Sequence, residues 1–232
     1  MCARYHPVTQ PDRFQHTLGT GLPPWPDATT TPPAEVFPQM WAPVLRATSR
    51  AQDAPGHEAV WGRFGLVPPG AADTRIGRHT YNARSETVAT RPSYQAAWAR
   101  YQHCLVPAEA ITEPEYLDGR AHPRRIRCAD GLPMGIAGLW SEWHDPHTPE
   151  AHPLISFTML TIPAAGHGVM DRFHRPGDEK RMVLILPRSL WTTWLFATPQ
   201  TLPPNQRWAL FQRYPAQRLT MDAREDHAPP SV

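Results

Sequence analysis

The apolar positions of the chain fall in short runs closed by proline, glycine and acidic turn residues. Seven such runs read as strands: VFPQMWAPVLRA (36–47), AVWGRFGLVP (59–68), CLVPAEAIT (104–112), RRIRCA (124–129), PMGIAGLW (133–140), LISFTMLTI (154–162) and RMVLILP (181–187). Runs of this length, rich in β-branched and aromatic residues, suit extended segments whose side chains alternate between two faces. Helical spacing is rarer. It occurs in PSYQAAWARYQ (92–102), opened by Pro92 at a first-turn position, and in RSLWTTWLF (188–196). The pattern predicts an α+β fold, a single strand-rich domain with a few helices. The proline- and threonine-rich stretch TGLPPWPDATTTPPAE (20–35) reads as a loop wrapping the surface. From residue 215 onward, PAQRLTMDAREDHAPPSV offers little to bury, so the expected organisation is a domain over 1–214 and a mobile tail over 215–232.

Composition narrows the function classes. No run of eighteen apolar residues occurs, and the start MCARYHPVTQ lacks the charged and apolar parts of a signal peptide, so a cytoplasmic protein without a membrane partner is expected. Three cysteines, at positions 2, 104 and 128, are an odd number without zinc-ligand spacing. Neither a disulfide framework nor a metal is expected. Cys104 and Cys128 lie in strand-like runs and read as buried, inert thiols. The net charge of +2 is too small to announce a nucleic-acid binder, but the basic residues are 22 arginines and one lysine, Lys180. Arginine's planar fork suits phosphates and base edges, although a genome rich in arginine codons leaves the same bias. Amine chemistry on a carbonyl therefore has two candidates, Lys180 and the N-terminus.

Cys2 follows the initiator methionine, and its small side chain should permit removal of Met1. An N-terminal cysteine carries its amine and thiol on adjacent carbons, so both can add to one aldehyde carbon and close a five-membered thiazolidine. An α-amine with a pKa of roughly 7.7 to 8.0 keeps a neutral, nucleophilic fraction at neutral pH, whereas a lysine near 10.4 is almost fully protonated.

Four separated segments carry a family resemblance: MCARY at the start, RFGLVPP (63–69) with YNARSET (81–87), CLVPAEAITEPEY (104–116), and FTMLTIPAAGHGVMDRFHRPGDEKRMVLILP (157–187). In this order they resemble the SOS response-associated peptidase (SRAP) family, whose members cross-link to abasic sites in single-stranded DNA. The resemblance implies a mostly antiparallel, barrel-like sheet, a self-modifying activity with autoproteolytic and lyase-like character, no cofactor and a monomer that is nucleoid-associated when bound to DNA. Position by position it implies Cys2 as nucleophile, Asn82 as the residue that orients it, Glu113 as acid/base and His174 as a second proton donor or acceptor. It also implies DNA contacts from Arg4, Arg84, Arg181 and Thr161. Trp61 or Phe64 is a candidate for stacking on a base, with core packing as the alternative for each.

Several alternatives stay open on the sequence. Glu115 neighbours Glu113, and Pro114 stands where the family has an aromatic residue. HRPGDEKRM separates His174 from Arg181 and Met182 where the family places histidine almost directly before Arg-Met, so His167 is the competing histidine. A peptidase acting only on its own N-terminus would use the same residues. A metal site from His144, Asp145, His147 and His152, and a non-covalent DNA-binding module, are the other readings.

Overall fold

The computed structural model describes residues 2–26, 30–48, 56–148 and 150–222. Eleven strands form one sheet. In chain order they are β1 (Tyr5–Pro7), β2 (Trp41–Ala47), β3 (His57–Phe64), β4 (Asn82–Arg84), β5 (His103–Leu117), β6 (Arg120–Cys128), β7 (Met134–Trp143), β8 (Leu154–Pro163), β9 (Arg181–Val183), β10 (Ile185–Leu186) and β11 (Leu219–Met221). Five of them close a barrel, since β5 pairs with β7, β7 with β8, β8 with β3, β3 with β2, and β2 again with β5. Every pairing in this ring is antiparallel except β3–β8. Closure satisfies the backbone N–H and C=O groups of strands that would otherwise be edges. Strand side chains on both faces of the barrel wall, among them Val44, Leu45, Phe64, Leu105, Ile136, Leu139, Phe157 and Met159, are fully buried. The expected α+β barrel is observed.

Strand β8 organises one end of this barrel. One of its sides pairs with β3 at Ser156 and Phe157 and then with β4 from Met159 to Thr161. The other side pairs with β7 up to Met159 and then with β9 from Thr161 to Pro163. The short strands β4 and β9 therefore flank the C-terminal half of β8. That geometry puts Arg84 opposite Thr161 and Arg181 opposite Pro163.

The run 181–187 does not form the single expected strand. The amide of Leu184 donates to Leu160, while its carbonyl accepts from Ala137, so the chain steps from β8 to β7 at this residue and divides into β9 and β10. An uninterrupted apolar run carries no mark for such a step. The segment 188–196 begins as a 3-10 turn, Arg188–Leu190, and becomes α3 (Trp191–Leu195). Helix α2 (Pro92–Ala99) starts at Pro92 as expected and buries Tyr94, Ala97 and Trp98.

Helix α1 (Pro11–Leu18) was not foreseen because only Phe14, Thr17 and Leu18 are buried along it. Its signals are at its ends. Pro11 opens it, and Gly19, in the left-handed region at φ 73°, closes it with an amide bond to Gln15 O. A second correction concerns residues 216–221, assigned on the sequence to a mobile tail. They form a 3-10 turn and β11, which pairs with Ile126–Cys128 of β6 and buries Leu219. Pairing at a sheet edge draws on backbone groups and needs little apolar sequence. The tail's remaining residues, 223–232, lie outside the described residues. Among the described residues no helix is long and apolar enough to cross a membrane.

Where β3 ends, Gly65 adopts φ 120° and its amide donates to Phe157 O. A Cβ added there would collide with the backbone carbonyl of Gly77. Gly65→Ala is expected to destabilise the protein by at least about 2 kcal/mol, through the disallowed φ and the backbone clash together. A shift of the urea midpoint at unchanged slope measures this, and a midpoint equal to that of the unsubstituted protein would refute it.

Candidate active site

The start of the chain is drawn inside by β1. Tyr5 and His6 pair with Ile111 and Ala110 of β5, and Arg4 O accepts from the Thr112 amide at 2.9 Å. Continuing this antiparallel register brings Cys2 beside Glu113 and Pro114. Cys2 is 1% exposed and its Sγ contacts Arg4 O at 3.5 Å. From the other side, Asn82 at the start of β4 donates from Nδ2 to the Cys2 carbonyl at 2.7 Å. Asn82 is itself held by Tyr94 of α2, whose hydroxyl donates to Asn82 O at 3.0 Å.

The histidine comes from the long loop before β9. Phe173 forms a bridge with Glu115, and the His174 amide donates to Pro114 O at 3.1 Å. His174 takes φ 67°, the left-handed region that a residue with a Cβ enters at a cost. Its Nε2 bonds Arg181 O at 2.9 Å, and its Nδ1 faces Glu113 Oε2 at 3.7 Å. A carbonyl accepts only from N–H, so Nε2 carries the proton and Nδ1 of the neutral ring points its lone pair toward the glutamate. The four residues Cys2, Asn82, Glu113 and His174 thus converge. His167 does not join them. Its Nε2 bonds Tyr214 O and its Nδ1 accepts from the Val169 and Met170 amides, which makes it the brace of a turn.

Burial sets the electrostatics. Glu113 is 1% exposed, and desolvation pushes its carboxyl up to about 7. A carboxyl raised in this way is suited to taking and returning a proton near neutral pH. Burial, reinforced by the Glu113 charge, holds the Cys2 thiol well above its ordinary value. Burial likewise lowers His174 and keeps the ring neutral. Glu113 Oε2 and Asn82 Oδ1 are both buried with no hydrogen-bond partner among the described residues. Two unsatisfied acceptors so close to the chain start are costly unless a donor arrives.

Glu115 has a different task. It is 2% exposed and binds Arg172 at 2.5 Å and Arg124 at 3.3 Å, fastening the loop that carries His174 onto β5 and β6. Lys180 fastens the same loop from within, its Nζ donating to Phe173 O at 2.8 Å and to His174 O and Arg175 O at 3.3 Å. These anchors were not identified from the sequence. Strand alternation carries the signal for one of them, since Glu113 and Glu115 are two apart and share a face.

The residues expected to touch DNA divide. Arg4 is partly exposed, paired with Glu35 at 2.6 Å and lying 5.7 Å above the exposed Phe37 ring. Arg84 is partly exposed and paired with Glu179 at 2.8 Å. Arg181 is only 2% exposed, and its guanidinium binds Glu86, Glu179 and Thr161. Thr161 is buried as well. Phe64 is fully buried and stacked on Phe157 at 5.3 Å, so it packs the core and does not stack on a base. Trp61 packs edge-on to Trp25, and its Nε1 donates to Pro23 O and Pro24 O, pinning the proline-rich loop. The proposed metal ligands are not gathered. His144 pairs with Glu142, and Asp145 accepts from the His147 amide.

The sequence matches the family described as SOS response associated peptidase (SRAP) over residues 1–225. Abasic site processing protein YoqW of Bacillus subtilis is 32% identical over 155 residues, 66% of this chain and 63% of that protein. Abasic site processing protein YobE of the same organism is also 32% identical over 155 residues, 66% of this chain and 65% of that protein. The chain thus spans just under two thirds of the length of the curated relatives it matches. A crystal structure of a Bordetella bronchiseptica protein superposes with a TM-score of 0.79 at 32% identity, covering 95% of this chain and 98% of that one. A Bacteroides thetaiotaomicron protein shares the fold at a TM-score of 0.76 and 17% identity, covering 95% of this chain and 90% of that one.

The raised Glu113 carboxyl makes stability depend on pH. The folded state holds this proton more tightly than the unfolded state, so the contribution is full below the unfolded value of about 4.3 and is lost as pH rises through about 7. Glu113→Gln removes the titration. Its stability relative to the unsubstituted protein is expected to rise by up to about 3 kcal/mol between acidic and mildly alkaline pH. Urea unfolding of both proteins across that range measures the difference, and a constant difference would contradict the buried, raised carboxyl.

Proposed function

The chain belongs to the SOS response associated peptidase family, and from that membership we propose that it processes abasic sites by attaching its own N-terminus covalently to them in single-stranded DNA. The observation that carries this reading is the convergence of Cys2, Asn82, Glu113 and His174 around the buried chain start. The names of the relatives YoqW and YobE, both abasic site processing proteins, support it. Met1 lies outside the described residues, and its removal is part of the proposal.

With Met1 gone, the α-amine belongs to a residue whose carbonyl Asn82 holds, and the unsatisfied acceptors Glu113 Oε2 and Asn82 Oδ1 are the candidates to receive it. Glu113 takes a proton from the ammonium, and the neutral amine adds to the aldehyde carbon of the ring-opened deoxyribose. The resulting carbinolamine loses its hydroxyl as water when protonated Glu113, or His174 acting with it, returns a proton. The intermediate is the iminium, whose nitrogen keeps its N–H, and the thiol then adds to its carbon. The sulfur forms the C–S bond as the C=N π pair returns to nitrogen, and the thiol proton passes to Glu113, so the neutral thiazolidine closes with release of water and one proton. A thiol kept protonated by burial fits this order, in which nitrogen attacks first. His174, in reach of Glu113, also suits proton transfer at the sugar oxygens during ring opening.

Arg4 and Arg84 each lie two residues from a central residue, Cys2 and Asn82, and their carboxylate partners Glu35 and Glu179 hold them for exchange onto phosphates. Arg181 and Thr161 act from inside, orienting Glu86 and Glu179. Autoproteolysis is a second use of the same centre. The Asn82 donor sits on the Cys2 carbonyl, one peptide beyond the Met1–Cys2 bond, so it positions the nucleophile and does not stabilise an oxyanion at that bond. We assign the protein to the cytoplasm, acting as a monomer on DNA.

A denaturing gel with an abasic single strand tests the proposal. Cys2→Ser should retain imine formation but leave little heat-stable adduct, because an oxazolidine is far weaker than a thiazolidine. An uncleavable N-terminal tag should abolish the adduct while the protein stays folded. Glu113→Gln should slow cross-linking by about 10² to 10⁴. A continuous abasic duplex should react more slowly than the single strand, because unpairing costs energy. A full yield from the tagged protein, or mass spectrometry placing the DNA remnant on Lys180, would overturn the reading.

A further inference from the structure

Beyond the four central residues lies a pocket that the mechanism does not use. It has a volume of about 290 Å³ and is lined by Ser85, Glu86, Ile162, Pro163, Trp208, Phe211 and Arg213. Trp208 is 40% exposed, one of few large apolar side chains left in solvent among the described residues. The ring is fixed by its neighbours, lying 5.2 Å from both Trp98 and Phe211. Arg213 is exposed at the rim, with its guanidinium oriented by Pro163 O at 3.0 Å and Ala165 O at 2.8 Å. On the opposite side Glu86 is occupied by Arg181. An apolar floor with polar groups at its edge matches one flat heterocycle, and the volume is at the small end for ligand pockets.

The position of the pocket decides what heterocycle it takes. Ser85 and Glu86 form the turn that directly follows Arg84, the last residue of the strand that begins at Asn82, and Ile162 and Pro163 directly follow Thr161. Three residues of extended chain from Asn82 to Ser85 span about 10 Å. Nucleotides on one strand of a helical duplex rise about 3.4 Å each, and those of an unstacked strand are further apart, so a span of this length from Asn82, which holds Cys2, corresponds to one to three nucleotides. Arg213 lines the pocket and the exposed Arg84 directly precedes Ser85, so both are cations available to the intervening phosphates. Resting on the function proposed above, we propose that this pocket is a nucleobase subsite in which Trp208 and Phe211 stack a base flanking the lesion on the same single strand. A base there fixes the strand's register over Cys2 without selecting sequence, because every base presents a π-face.

Fluorescence anisotropy on the full chain tests this, using short single strands with a tetrahydrofuran unit in place of the abasic residue so that no covalent bond forms. The bases at the first three positions on either side are removed in turn. Removal at one position should weaken binding about 5- to 100-fold, the range one base–aromatic stack supplies. Trp208→Leu, which keeps an apolar side chain against Trp98, should weaken binding to the intact strand comparably and become indifferent to that removal. A protein that binds the intact strand but is insensitive to every removal, or a Trp208→Leu variant that still responds, overturns the subsite alone. Failure of the unsubstituted protein to bind the intact strand overturns the proposed function and the subsite together.

Discussion

The pairing of the first strand with β5 is the contact on which the site depends. A chain terminus normally frays, because few contacts offset its freedom. Here Tyr5 is fully buried, edge-on to Phe64 at 5.5 Å, and residues 4 to 7 are bonded along β5. The register is fixed by that burial, since a slip of one residue would turn Tyr5 out of the core. Cys2 is then delivered to Glu113 by strand geometry, with no loop left to position it. The same burial that holds the terminus also desolvates Glu113, so anchoring and proton affinity have one cause.

Much of the barrel was legible because its strands are long enough to show their apolar runs. The strands that escaped, β1, β4, β9 and β10 as separate strands, and β11, are two or three residues long and exist through pairing with longer neighbours. No periodicity can be seen in three residues. Those short strands nevertheless carry or adjoin Cys2, Asn82, Arg84 and Arg181. Periodicity alone therefore outlines the scaffold, while the site came from motifs such as YNARSET and the MCARY start. Trp61 and Phe64 show the reverse difficulty. Their aromatic character admits both stacking and packing, and burial within the barrel and under the proline-rich loop decides for packing.

Charge within the site is arranged by backbone as much as by side chains. The Arg181 carbonyl selects the His174 tautomer, while the Arg181 guanidinium gathers Glu86 and Glu179. Glu179 in turn holds Arg84. One residue of β9 thus links the histidine to a partly exposed cation through two hydrogen bonds and an ion pair. Anything that pulls Arg84 away from Glu179, as a phosphate would, changes the field around Arg181 without moving the ring.

The loop HRPGDEKRM, longer than the resemblance leads one to expect, shows how an inserted segment keeps its histidine against Glu113. A left-handed histidine in a solvent-facing loop would relax toward a common backbone state. It is held at both ends and from within, by the Pro114 carbonyl, by Arg172 on Glu115, and by Lys180 on three successive carbonyls. The only lysine of the chain is therefore committed to carbonyl oxygens, which sequence counting could not reveal. Its ammonium needs its protons for those bonds and has no lone pair to offer an aldehyde while it makes them. In the function proposed above, the loop that supplies His174 thereby also removes the one side-chain amine that would compete with the N-terminus.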